Sequence, residues 1–125
     1  MTATILVVDD EPDLEALVRQ RFRRKISDGA VTFVFARDGI EALQSIADHP
    51  NVDMVVSDIN MPRMDGLTLI RELRMLPAYK TVPMLVLTTE STPDKKLLGK
   101  EAGATGWLVK PFNPQQLMAT IARVM

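Results

Sequence analysis

The residues best suited to chemistry in this chain are acidic, and they stand at the ends of apolar runs. Residues 5–12 read ILVVDDEP, so four apolar side chains lead straight into Asp9 and Asp10, with Glu11 behind them. A second run, VVSDINMP, delivers Asp58, and two others end at Thr88 and at Lys110-Pro111. If the strands carrying Asp9, Asp10 and Asp58 are neighbours, three carboxylates converge and need a counter-charge to stay ionised. Oxygen donors without His or Cys suit a hard cation, and Mg²⁺ typically takes one or two carboxylates with waters and phosphate oxygens. The charges then balance, with three carboxylates set against a divalent cation and the Lys110 ammonium. A carboxylate beside such a cation is a nucleophile toward phosphorus, forming an aspartyl phosphate. Phosphoryl transfer asks mainly for positioning and charge neutralisation, which the cation, Lys110, Thr88 and loop N–H groups would supply. Taken singly, these residues have ordinary readings as a helix start, a strand-end turn, a loop hydroxyl and a surface charge. Their joint placement at one edge of one sheet is what makes a site.

The elements that would hold them there follow from periodicity. Apolar runs of strand length recur at 4–8, 31–36, 54–57, 83–88 and 106–109. They are rich in Val, Leu, Ile and Phe and mostly do not alternate, as expected of parallel strands covered on both faces. Helical stripes lie between them: Leu14, Leu17, Val18, Phe22 and Ile26; Ile40, Leu43, Ile46 and Ala47; Leu69, Ile70 and Leu73; Leu97 and Leu98; Leu117, Ile121 and Val124. Asp38 and Asp65 are placed as N-caps, and Pro12, Pro93 and Pro114 lie near helix starts. The helix over 93–102 is the weakest, because Gly99 inside it costs about 1 kcal/mol relative to Ala. The pattern predicts (βα)₅ with right-handed crossovers, in which ligands bind beyond the carboxyl ends of the strands.

Composition excludes several classes. The 125 residues are 46% hydrophobic and 25% charged, as in one ordinary globular domain spanning 1–125. Cysteine is absent, which excludes disulfides and thiolate metal sites. No apolar run approaches the roughly 20 residues that span a bilayer, so no membrane insertion is expected. Met1-Thr2-Ala3 leads directly into the first strand, leaving no room for a secretory signal, and a cytoplasmic location is expected. A formal net charge of −1 gives no pull toward nucleic acid, and no direct contact with it is expected. The basic run RQRFRRK at 19–25 reads as a solvated helix end that complements the helix dipole.

Together ILVVDDEP, VVSDINMPRMDGL, VLTTE and GATGWLVKPF resemble the receiver domains of two-component response regulators over essentially the whole chain. The half from PMLVLTTE to LVKPF is especially similar to the single-domain, CheY-like chemotaxis regulators of that family. The resemblance implies a flavodoxin-like, doubly wound α/β fold with a five-stranded parallel sheet in the order 2-1-3-4-5. It implies that Asp58 accepts a phosphoryl group from a histidine kinase or phosphotransfer protein. Asp10, Asp58 and the backbone carbonyl of Asn60 would bind Mg²⁺ directly, Mn²⁺ could substitute, and Asp9 would act through metal-bound water. Thr88 would hydrogen-bond the phosphoryl group and Lys110 would ion-pair with it. Lys110-Pro111 would be a cis peptide, Trp107 the switch aromatic beside Thr88, and Asn60 and Glu90 the residues that tune dephosphorylation. The face of the fourth helix, fifth strand and fifth helix would be read by an output protein.

Such a chain is a switch that helps catalyse its own phosphorylation and autodephosphorylation, rather than an enzyme in the usual sense. The alternative is an aspartate-nucleophile phosphatase of the haloacid-dehalogenase type. That class needs a second Asp two residues after the nucleophile, where this chain has Asn60, a poor proton donor or acceptor. GxGxxG and GxxxxGK[ST] are both absent, which argues against a nucleotide binder.

Overall fold

Alternation along β1 (Ala3–Val8) decides which helices pack on which face. Leu6 and Val8 point to one side of the sheet, Ile5 and Val7 to the other, and all four are buried. In the computed structural model, which describes residues 3–59, 61, 63–88, 93–110 and 114–124, β1 lies between β2 (Val31–Ala36) and β3 (Met54–Asp58). β4 (Met84–Thr88) and β5 (Gly106–Val109) complete a parallel sheet in the order β2-β1-β3-β4-β5. This is the doubly wound order expected from the sequence.

One face is covered by α3 (Gly39–Asp48) and α4 (Gly66–Arg74), through Ala42, Ile46, Leu69, Ile70 and Leu73. The other is covered by α1 (Pro12–Arg21) and α6 (Pro114–Val124), through Leu14, Val18, Leu117 and Ile121. Asp38 and Asp65 cap α3 and α4 as predicted, with Oδ1 accepting from Glu41 N–H at 2.9 Å and Thr68 N–H at 2.7 Å. β3 and β4, at the centre of the sheet, are buried at every residue. Among the described residues no helix is long and apolar enough to cross a membrane.

The structure departs from the sequence pattern in two helices. The first helical stripe is broken at Phe22, after which α2 (Arg23–Ser27) runs for a single turn. Phe22 is buried edge-on against Phe33, with ring centroids 5.0 Å apart, while the basic residues around it face solvent. Strand three ends at Asp58 as expected, and Asp58 is itself a ladder residue paired with Leu87. In α5 (Pro93–Ala102) the stripe Leu97–Leu98 does not face the core, since these side chains are 55% and 39% exposed. Gly99 and Ala102 are buried instead.

Candidate functional site

Parallel pairing in this register brings the ends of β1, β3, β4 and β5 to one edge. Val8 pairs with Ser57, so Asp9 follows β1 beside Asp58 at the end of β3. Asp9, Asp10 and Asp58 each offer a carboxylate oxygen within 4.8 Å of the others. Asp9 and Asp58 are buried and Asp10 is exposed, so the cluster opens to solvent on the Asp10 side.

Lys110, just beyond β5, closes the opposite side. Its Nζ lies 2.9 Å from Asp9 Oδ2 and 3.5 Å from Asp58 Oδ2. Its position follows from the backbone, because Lys110 N–H donates to the Thr88 carbonyl at 2.6 Å. Thr88 is almost wholly buried at the end of β4, the strand next to Asp58. Burial works against the Lys110 ammonium, but the hydrogen bond to Asp9 and the charges of Asp58, Asp9 and Glu11 outweigh it. The lysine pKa therefore lies above its ordinary value. Asp9 is held on both oxygens, since its Oδ1 accepts from Glu11 N–H at 2.9 Å. The stronger lysine contact to Asp9 rather than Asp58 was not legible in the sequence.

This donor set fits a small divalent cation. All three groups are carboxylates, they are close enough to share one ion, and one ammonium leaves two negative charges to be matched. The edge is also drawn tight from below. A Cβ on Gly66 would lie 2.1 Å from the Asp58 carbonyl oxygen, so only glycine lets α4 begin against the end of β3. Gly66 N–H donates to Ile59 O at 3.0 Å, closing the turn behind Asp58.

Trp107 lies on β5 with its six-membered ring against α5. A Cβ on Gly99 would meet its Cζ3 at 2.5 Å. The glycine that weakens the helix is therefore the one that admits the ring. The indole Nε1 is buried and has no hydrogen-bond partner among the described residues. Asn60, Glu90 and Pro111, and with Pro111 the expected cis peptide after Lys110, lie outside the described residues.

A pair that sequence reasoning missed lies beside the site. Arg63 donates from Nε to Asp38 Oδ2 at 2.7 Å, and its Nη2 lies 2.7 Å from the same oxygen. The Arg63 hydrogen bond is the largest influence holding the Asp38 carboxyl below its ordinary pKa, against the cost of burial. Its sequence signal was weak: an arginine in PRMDG and an aspartate already explained as a cap.

Comparison with known proteins agrees with this geometry. Residues 5–122 match the family model described as the response regulator receiver domain. The chain is 40% identical over 126 residues to the response regulator MprA of Mycobacterium ulcerans, covering all of this chain and 51% of that protein. It thus spans about half the length of the curated relatives it matches. The chemotaxis response regulator CheY4 of Vibrio cholerae is 43% identical, with a TM-score of 0.85 and complete coverage of both chains. The receiver domain of the sensor histidine kinase PA1611 from Pseudomonas aeruginosa is 26% identical, with a TM-score of 0.82 over 99% of this chain and 98% of that one. That structure has a magnesium ion coordinated in its active-site cleft. With the doubly wound sheet and the acidic edge in place, the match across nearly its whole length makes this chain a member of the response regulator receiver domain family.

Proposed function

We propose that this receiver domain, taken as one unit over 1–125, is a phosphorylation switch with Asp58 as phosphoacceptor. The observation that carries the reading is the Asp9–Asp10–Asp58 cluster within 4.8 Å, flanked by Lys110 Nζ at 2.9 and 3.5 Å. Asp10, Asp58 and the Asn60 carbonyl would hold Mg²⁺ or Mn²⁺, with Asp9 acting through water. The engagement of both Asp9 oxygens by Glu11 N–H and Lys110 supports that indirect role. Bound there, the cation would neutralise charge on the phosphoryl oxygens.

The chain's own groups do the rest. An Asp58 carboxylate oxygen attacks phosphorus as the bond to the donor breaks, and the leaving group is a histidine imidazole or, with a small donor, acetate. Lys110 is placed to pair with the transferred group, and Thr88 to donate its hydroxyl. The product adds roughly one negative charge and three acceptor oxygens at the sheet edge. Drawing Thr88 and its loop toward them would free space for Trp107, now seated against α5, to repack. Asn60 and Glu90 would govern access of the hydrolytic water, which returns Asp58 to the carboxylate.

The output face in this reading is formed by α5, β5 and α6, the fourth and fifth helices of the predicted pattern with the strand between them. Exposed Leu97, Leu98 and Val109 support it, since apolar side chains on a polar domain mark contact surfaces. Full-length similarity to CheY4 favours a cytoplasmic, chemotaxis-like partner protein over direct nucleic-acid contact by this domain. The upstream partner would be a histidine kinase or phosphotransfer protein.

The test adds Mg²⁺ and then acetyl phosphate, following intact mass and Trp107 fluorescence. A phosphoryl mass increase that vanishes in Asp58→Asn is expected. An increase of the same size in Asp58→Asn would overturn the assignment. Steady phosphate release from many unrelated esters would favour the phosphatase.

A further inference from the structure

Among the described residues, Arg63 is the one non-glycine with positive φ, at 65°. Side chains with a Cβ adopt that conformation only under constraint, and such residues gather where geometry matters to function. The constraint here is Asp38, which is 4% exposed and receives two arginine nitrogens on Oδ2, each at 2.7 Å. One residue along each segment a second contact follows. Gly39 N–H donates to Met64 O at 3.3 Å, and Met64 Cγ fills the place a Gly39 Cβ would take, 2.6 Å away. The junction between β2 and α3 is thereby joined to the chain between Asp58 and Gly66.

That junction also borders two of the three clustered carboxylates. Ala36, Arg37 and Glu41 line one cavity with Asp9, Asp10 and Glu11, and Glu41 N–H is the group that Asp38 caps. On its other side the acceptor segment is fixed by Ile59 N–H to Leu87 O and by Gly66 N–H to Ile59 O, each at 3.0 Å. The Asp38–Arg63 pair and these bonds thus tie together the backbone beside Asp9 and Asp10 and the backbone beside Asp58.

We propose that Asp38 and Arg63, with the adjoining Gly39–Met64 contact, form a clasp that ties the junction beside Asp9 and Asp10 to the start of α4 behind Asp58 and so sets the affinity of the site for its divalent cation. This rests on the cation-binding reading above. Both clasp residues are positioning residues, since neither belongs to the carboxylate cluster. A purely structural role predicts something different. The Arg63 side chain is 56% exposed and that of Asp38 6%, so solvent screens the pair from one side only. Asp38 also caps α3 without help from Arg63. A structural role alone would lower stability and leave Mg²⁺ affinity unchanged, whereas the clasp sets that affinity.

The experiment titrates MgCl₂ calorimetrically into the wild-type chain, Arg63→Gly, Asp38→Asn and the double variant, with urea unfolding of each. Arg63→Gly removes the pair but accepts positive φ freely. Asp38→Asn removes the charge but keeps an oxygen for Glu41 N–H. Each single variant is expected to bind Mg²⁺ about three- to tenfold more weakly, at the low end of what outer-shell partners of a metal contribute. The double variant should be no weaker than the singles, because they remove one interaction. Acetyl phosphate reactivity should need more Mg²⁺ for half-saturation yet reach the wild-type rate when saturated. Arg63→Gly with wild-type Mg²⁺ affinity overturns the clasp and leaves the cation site standing. A wild-type chain that binds no Mg²⁺ overturns both.

Discussion

Replacing Gly66 by Ala tests how closely α4 is pressed against the phosphoacceptor strand. The added Cβ would lie 2.1 Å from the Asp58 carbonyl oxygen, 2.9 Å from its carbon and 3.0 Å from Ser57 Oγ. Ordinary carbon–oxygen contact needs about 3.2 Å or more, so something must move by roughly 1 Å. β3 is buried at every residue and cannot yield cheaply, whereas Asp65 at the helix start is exposed. The helix start therefore moves, breaking the Gly66–Ile59 hydrogen bond. That loss costs about 1 kcal/mol and the residual overpacking about 1–3 kcal/mol. The better helix propensity of Ala returns less than about 1 kcal/mol at this terminal position. A net destabilisation of about 2–3 kcal/mol is expected in urea unfolding. Displacement of the turn behind Asp58 should also slow acetyl phosphate reactivity about tenfold or more, because small misplacements are costly in reacting sites. Gly29→Ala is the control: its φ of +75° brings strain but its Cβ meets nothing within 4 Å, so reactivity should stay unchanged. Gly66→Ala with wild-type stability and reactivity would refute the reasoning.

Gly99→Ala should push the Trp107 ring off α5, since the new Cβ falls 2.5 Å from Cζ3. A shifted Trp107 emission with about 1 kcal/mol lower stability is expected, despite better helix propensity; an unchanged spectrum would deny the contact. Asp10→Asn should raise the stability of the metal-free chain by about 1–2 kcal/mol. Each carboxylate neighbour at up to 4.8 Å repels it by about 1 kcal/mol even in a water-like dielectric. The same variant should lose the thermal shift that MgCl₂ gives the wild type. Asp38 has its carboxyl held below the ordinary 3.8, so its stabilisation is complete above that pH and is lost as pH falls through the lower folded value. Arg63→Gly should therefore flatten the acid limb of a urea-midpoint profile below about pH 4; an identical profile would show that the pair does not hold Asp38 ionised.

The parts of this molecule legible in its sequence are those fixed by local pattern. Unbroken apolar runs marked the central strands, and Asp38 and Asp65 marked helix starts by side-chain chemistry alone. The gathering of Asp9, Asp10 and Asp58 followed because parallel strands of a doubly wound sheet end at one edge. Features depending on long-range shape were hidden. Leu97 and Leu98 read as the apolar face of their helix, but Gly99 and Ala102 are the buried residues there, and the ring of Trp107 takes the space beside Gly99. The break at Phe22 depends on Phe33 in another element. Asp38 and Arg63 are 25 residues apart, and nothing local demanded that a capping aspartate also hold a strained arginine. The carbonyl oxygens of Tyr79, Val82 and Gly103 all converge on Arg74, a cross-link that no local pattern announces.

The central claim is that Asp58, and neither of its acidic neighbours, carries the phosphoryl group. Borohydride reduction of the chain after treatment with acetyl phosphate and Mg²⁺ converts an aspartyl phosphate to homoserine, and peptide mapping then locates it. Homoserine is expected at position 58, dependent on Mg²⁺ and suppressed in Lys110→Met. Homoserine at position 9 or 10 in the wild-type chain, or none anywhere after a confirmed mass increase, would contradict it.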